Sequence, residues 1–423
     1  MFIPSYRAYG YLKIGYYAAS LGVLIGIHNV VEGSSITGQG LVCHRDTGCR
    51  QGSPSSPLFS FNTDVRTGEG VILPGRFIVS ILTMVRRVVV QAVGGFDQLK
   101  VEDGPPLSVP SAKQVTVEVK ACGLNFYDIY VRQGLNPVTQ PPCTLGLECA
   151  GVVAAVGVDV ASVKVGNRVV VHCPQAGACA EMITVTADSL LVIPDNLNFE
   201  VAASFTISYL TAYFSLFHLG GLRAGGAVLI HSAAGGVGWA ATQLAKTVPG
   251  VTVFGTASLQ KHEAIKENGV DHPIHYDQDY HREVLEQRPR GVSIVLDNLG
   301  GTDFTISQDL LEPLGKVILI GARGMVGDEH RSLWRVLKTW WTTKNVSPYS
   351  LIMKNHAVAG FNLNELRSKD PATFRQGWEE ILKMITSEEL RPSIDSVWQF
   401  DQIIEASKQI SERKNIGKVI ICP

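Results

Sequence analysis

This chain carries almost no net charge. Its 37 basic and 38 acidic side chains leave a formal charge of −1 and a pI of about 6.8. The bulk charge therefore points neither to nucleic acid nor to an acidic membrane surface. Paired cysteines are missing too. The eight cysteines stand at 43, 49, 122, 143, 149, 173, 179 and 422, with no C-x-x-C spacing. They read as reduced intracellular thiols and not as a disulfide framework. No internal period marks a repeat protein. No uncharged run is long enough to cross a bilayer: near the N-terminus, Ile14 to Ile27 falls short of the roughly 20 residues a span needs. What the chain does have is glycine, 42 of 423 residues, with 45% hydrophobic residues. That balance suits an α/β protein of two to three domains with many strand-to-helix turns.

The first 83 residues differ from the rest. An apolar, aromatic stretch is followed by a Gly, Ser and Thr-rich tract over 33–70. This leader is expected to be an unstructured appendage. The alternatives are a membrane anchor, or a natural product that begins at Met84. Cys43, His44 and Cys49 are too few for a metal site in such a tract. From Arg86 the pattern is β-rich, punctuated by glycine and proline, as in a small β-barrel-like domain over 84–208. From about Tyr209 strands alternate with helices. Candidates at Ala227–His231, Val251–Thr256, His272–His275, Val292–Asp297, Lys316–Gly321 and Ala357–Phe361 make a doubly wound sheet over 209–363. A helix opened by Asp370 and Pro371 follows, with Phe374, Trp378, Ile381, Leu382 and Ile385 on one face. The tail, 364–423, ends in Lys418–Ile421 and is expected to return to the first domain.

The chemistry is concentrated between Gly226 and Gly238. A buried strand ends at Ala233, Ala234, Gly235, Gly236, Val237 and Gly238, and a helical pattern follows. Gly235 lets backbone approach a pyrophosphate, and Gly238 lets the helix pack on the strand. The helix N-terminus offers free N–H groups and partial positive charge to phosphates. Ala233 replaces the usual first glycine, so this is a variant of the dinucleotide fingerprint. The second strand ends at Gly255, Thr256, Ala257 and Ser258 without the carboxylate that usually binds a ribose 2′-hydroxyl. A hydroxyl, with Lys261 just beyond, suits a 2′-phosphate. Asp297 to Gly301 and Gly321 lie at strand C-termini, where ligands bind in such sheets. His231, beside the glycine turn, reads as packing.

These residues resemble a family. Gly225, Gly226, Leu229, the run from Ala233 to Gly238, Gln243 and Lys246 are similar to the signature of the zinc-independent quinone oxidoreductase (zeta-crystallin) branch of the medium-chain dehydrogenases/reductases. The resemblance runs from about Met84 to Pro423 and includes Val119–Tyr130, Arg132–Gly134 and Pro142–Gly151. Within that branch, Val251–Ser258, Lys261–Gly269, Thr339–Trp341 and Ile394–Trp398 resemble the vesicle amine transport protein homologues. The resemblance implies a GroES-like catalytic domain completed by 364–423, a Rossmann domain, and NADPH as cofactor. It puts Lys261, Tyr276 and Arg413 on the 2′-phosphate, with Lys414 as the alternative to Arg413. Thr211 falls near the nicotinamide. Asn125 and Tyr130 fall on the substrate side, Asn125 orienting a carboxamide or carbonyl and Tyr130 donating a hydrogen bond or proton. Asp128 and Glu148 hold the cleft loops. Zinc-dependent relatives have Cys where Asn125 stands and His where Leu147 stands, so no metal is expected. The implied reaction is hydride transfer to a quinone or α,β-unsaturated carbonyl. An enoyl-thioester reductase, or a vesicle- or membrane-associated interaction protein that keeps the cofactor fold, are the competing readings. A cytoplasmic homodimer is expected, with peripheral association to vesicles or the mitochondrial outer membrane as its membrane contact.

Overall fold

The computed structural model describes residues 84–423 except 328, 344 and 345, together with strand segments of the first 83 residues, such as Leu12–Ala19 paired antiparallel with Gly22–Asn29. Apart from such strands, the expectations for the leader lie outside the described residues. The chain divides into two compact units, Met1–Val85 with Gly104–Ser108, and Arg86–Asp103 with Val109–Pro423. The second unit holds all that follows.

Its first lobe is antiparallel. Alternating β-branched residues make Gln114–Gly123 a strand that buries Val115, Val117 and Val119. It pairs with Glu148–Val156 on one side, and Met182–Thr186 also pairs with it. The C-terminal strand Lys418–Cys422 joins its far end, Ile421 opposite Cys122, and runs parallel to Ile394–Gln399. The last residues of the chain are therefore part of the first lobe's sheet.

The second lobe is a six-stranded parallel sheet in the order His272–His275, Thr252–Ala257, Ala227–Ile230, Val292–Asp297, Leu311–Leu319, Ala357–Gly360. Ala227 to Ile230 are all buried, as a central strand covered on both faces must be. The strand order reverses between Ala227–Ile230 and Val292–Asp297, which opens a crevice at their C-terminal ends. The expected boundary at 208/209 falls inside a helix, Phe199–Tyr213. That helix is buried along most of its length and packs on both lobes, so no exposed linker separates them. Helix Pro371–Thr386 starts as read: Asp370 accepts from Thr373 N at 3.1 Å, and Trp378 is fully buried with its indole N–H donated to Thr206 at 3.1 Å.

Candidate functional site

The glycine turn follows Ile230. Ser232 adopts a left-handed conformation (φ 55°), and the helix Gly236–Lys246 begins after Gly235. The glycines differ in what they permit. A Cβ on Gly238 would lie 2.4 Å from the Ser232 carbonyl oxygen, so no larger residue fits there. A Cβ on Gly236 would meet Ser208 Oγ at 2.8 Å and the Lys418 side chain at 2.9 Å. Gly235 has open space on its Cβ side, with Ser232 O at 3.4 Å the only near atom. Gly238 and Gly236 thus serve packing, and Gly235 leaves the room that a phosphate would use. Val237 is half-buried, and Ala233 is fully buried behind the turn. Gly417 N–H donates to Ala234 O at 2.8 Å, which holds the C-terminal segment against the turn.

That segment also meets Lys261, one of the residues expected on the 2′-phosphate. Ser258 precedes a short 3-10 turn, Leu259–Lys261. Lys261 Nζ donates to the carbonyls of Arg413 (2.6 Å) and Asn415 (2.7 Å). Burial lowers the proton affinity of this amine, Asp395 restores part of it, and the nearby Arg323 and Arg413 lower it further. Tyr276 is exposed and lies against His275, with ring centroids 4.7 Å apart. The Lys414 ammonium is paired with Glu412 at 2.6 Å, whereas the Arg413 side chain is exposed beside the Lys261 contact.

The residues expected on the substrate side, Asn125 and Tyr130, belong to helix Phe126–Arg132 and its start. Asn125 precedes helix Phe126–Arg132, and its own N–H donates to Asp128 Oδ2 at 2.8 Å. Its amide nitrogen donates to Gly123 O (3.1 Å) and Glu148 Oε1 (2.9 Å), and its amide oxygen accepts from Lys418 Nζ (2.8 Å). Lys418 Nζ also donates to Glu148 Oε1 (2.7 Å) and Leu124 O (2.8 Å), and Glu148 Oε2 accepts from Ile207 N (3.0 Å). Both N–H bonds of the Asn125 amide are used inside this buried network, so it acts on the cleft chiefly by fixing the start of the helix. Asp128 accepts in addition from Gly146 N at 3.1 Å; burial raises its carboxyl to about 6. Asp128 and Glu148 therefore tie loops together. No motif marks Lys418. Its only signal is a lysine at the head of an otherwise apolar strand.

Tyr130, one turn along that helix, reaches the other lobe. Its hydroxyl accepts from Ala322 N at 3.1 Å and lies 3.5 Å from the Cβ position of Gly321, just past strand Leu311–Leu319. Burial raises the phenol above its ordinary value, so it stays protonated and keeps its O–H for another acceptor. Gln133 joins the same loop through Gly327 O (3.0 Å) and Gly327 N (3.1 Å). Thr211 is buried on the helix that carries Ser208. Arg323, which the motifs also missed, extends from the Ala322 turn to Ser232 Oγ at 3.3 Å. His231 is buried between Thr256 (3.4 Å) and Ser307 (3.3 Å), which fits packing.

A zinc ion does not fit the place where zinc-dependent relatives hold one. Leu147 is buried and apolar, the Asn125 amide is committed, and the Lys418 ammonium is already bonded to Asn125 and Glu148.

Comparison with known proteins decides the family. Residues 111–195 match the alcohol dehydrogenase GroES-like domain, and 268–421 match the zinc-binding dehydrogenase family. The chain is 43% identical over 341 residues to the rat synaptic vesicle membrane protein VAT-1 homolog, covering 80% of this chain and 84% of that one. The chain belongs to the medium-chain dehydrogenases/reductases. The human VAT-1 homolog is also 43% identical, covering 80% of this chain and 87% of its own. The crystal structure of the human VAT-1 homolog-like protein aligns with TM-score 0.70 at 36% identity, over 81% of this chain and 99% of that one. A Pseudomonas syringae quinone oxidoreductase aligns with TM-score 0.70 at 30% identity, over 80% of this chain and 100% of that one. Among the described residues no helix is long and apolar enough to cross a membrane.

Proposed function

We propose that this oxidoreductase is NADPH-dependent and zinc-independent, and that it delivers hydride to a quinone or an α,β-unsaturated carbonyl. The observation that carries the reading is the end of the second strand. There Ser258 and Lys261 stand with no carboxylate, and Lys261 is tied to the Arg413 segment. A cation and a hydroxyl favour a 2′-phosphate, which an acidic side chain would repel. An Escherichia coli quinone oxidoreductase complexed with NADPH has the same fold at 25% identity and TM-score 0.69, over 80% of this chain and 100% of that one.

NADPH, when bound, supplies the hydride. The chain's residues supply the rest. Gly235 and the N-terminus of helix Gly236–Lys246 would hold the pyrophosphate, and Lys261, Tyr276 and Arg413 would hold the 2′-phosphate. The Asn125–Glu148–Lys418 network fixes helix Phe126–Arg132. The protonated Tyr130 hydroxyl then stabilises the oxyanion that develops on the acceptor, a role that needs no Lewis acid. An enoyl-thioester acceptor is the second reading. It is favoured by the CurK enoyl reductase, which aligns at 27% identity with TM-score 0.69. Relatives that bear the name synaptic vesicle membrane protein favour, for this chain, a peripheral association with vesicle membranes.

Fluorescence titration tests the cofactor. NADPH should bind about tenfold or more tightly than NADH, which is about 1.4 kcal/mol. Lys261→Ala should erase most of the difference. Equal binding of both cofactors by the parent protein would overturn the reading.

A further inference from the structure

We infer that Arg323 is a phosphate-binding residue of the dinucleotide groove. The inference rests on the cofactor reading above and extends it to a residue that no motif marks.

Position is the first argument. The Arg323 backbone N–H donates to Asn298 O at 2.9 Å, which anchors the residue at the end of strand Val292–Asp297. Its guanidinium crosses to Ser232 Oγ at 3.3 Å, at the start of the glycine turn. Ser232 Oγ also lies 3.3 Å from Asn298 Oδ1. The guanidinium therefore spans the two strand ends between which the sheet order reverses. That is the crevice where a dinucleotide lies in such sheets.

Charge is the second. Arg323, Arg413 and Lys261 are close enough that each arginine disfavours protonation of the Lys261 amine, and Arg413 does the same to Arg323. Facing Arg323 are the phenols of Tyr130 and Tyr276 and the carboxylate of Asp303, which already accepts from Tyr280 at 3.0 Å. Among the described residues no ion pair holds Arg323, and the Ser232 hydroxyl takes one of its N–H groups. Burial lowers this guanidinium to about 10. A largely desolvated cation beside two others, bonded to a neutral hydroxyl, is unfavourable until an anion completes it.

Space is the third. A Cβ on Gly235 would have only Ser232 O, at 3.4 Å, beside it, so bare backbone borders the turn that Arg323 reaches, while the Tyr130 hydroxyl and Asn298 O stand 3.5 Å from the Cβ position of Gly321. A phosphate ester matches this setting, because the planar guanidinium fork pairs with two of its oxygens. The dinucleotide has two sources of that chemistry, the pyrophosphate and the 2′-phosphate.

Calorimetric titration of the full chain with NADPH, NADH, ADP and 2′-AMP, on parent, Arg323→Gln and Arg323→Lys, tests this, together with the melting temperature without ligand. Arg323→Gln should weaken NADPH about tenfold or more, with Arg323→Lys in between. The unliganded melting temperature of Arg323→Gln should equal or exceed the parent's, since a repelled charge is removed. Equal weakening of NADH and ADP assigns Arg323 to the pyrophosphate. Weakening confined to NADPH and 2′-AMP assigns it to the 2′-phosphate. Unchanged affinities in Arg323→Gln overturn the inference and leave the cofactor reading standing. A parent that binds no dinucleotide overturns both. Weakening with a lowered unliganded melting temperature, not relieved by Arg323→Lys, marks a structural role and also overturns it.

Discussion

At the scale of residues, Tyr130 is the group on which the proposed chemistry turns. It lies on one lobe and touches the backbone of the other, at Ala322. Tyr130→Phe should lower kcat with little change in NADPH affinity, by about 10²–10³ where the site excludes water and by less in an open cleft. Steady-state kinetics beside cofactor titration would separate the two effects, and a parental kcat would remove Tyr130 from the mechanism. The buried histidines give a second prediction. His231 is held at about 4 and His172 at about 3, both mainly by burial, against about 6.5 when unfolded. The unfolded chain therefore binds more protons below about 6.5, and stability falls as pH drops. Each histidine should remove about 2 kcal/mol between pH 7 and pH 5. Asp128 works the other way. Raised to about 6 when folded, it is a penalty at neutral pH that eases on acidification, returning about 1 kcal/mol. Urea unfolding at the two pH values should show a net loss of about 3 kcal/mol, and a flat or rising profile would contradict the assignment. Residue-scale signals were unevenly legible. Gly235, Gly238 and Lys261 carry their chemistry in spacing along the chain. Lys418 and Arg323 do not, because each acts on partners that lie far away in sequence, such as Glu148 and Ser232.

At the scale of elements, the buried ion pair between Lys418 and Glu148 joins the last strand to the first lobe and sits behind Gly236. Removing one partner leaves a charge buried and unpaired. Lys418→Met should cost about 3–5 kcal/mol in urea unfolding, and the double variant Lys418→Met, Glu148→Gln should recover part of it. Equal losses in both variants would show that the pair is not the cause. The strands of the parallel sheet were readable because their apolar runs are short and end at glycine or polar turns. The helix Phe199–Tyr213 was not, because it is buried nearly all round, small hydroxyls included, and packs on both lobes, so its sequence shows no boundary.

At the scale of the whole molecule, the outer strand of the parallel sheet pairs on one side only among the described residues. Ala357–Gly360 has no charge, proline or bulge to discourage pairing. Helices Leu333–Thr343 and Pro348–Lys354 expose Leu333, Trp334 and Ile352 at 69%, 73% and 70%. The expected homodimer would cover such an apolar surface. Sedimentation should find a dimer, and Val358→Lys, which puts a charge on that edge, should shift it toward monomer; a parent that is monomeric at all concentrations would contradict this.

Hydride delivery from NADPH without a metal is open to direct test. The most direct measurement is steady-state NADPH oxidation by chelator-dialysed protein against a panel of quinones, enones and enoyl thioesters, with zinc content determined on the same sample. At least one quinone or enone should turn over with far less than one zinc per chain. Stoichiometric zinc whose removal abolishes activity, or no NADPH oxidation with any acceptor, would contradict it.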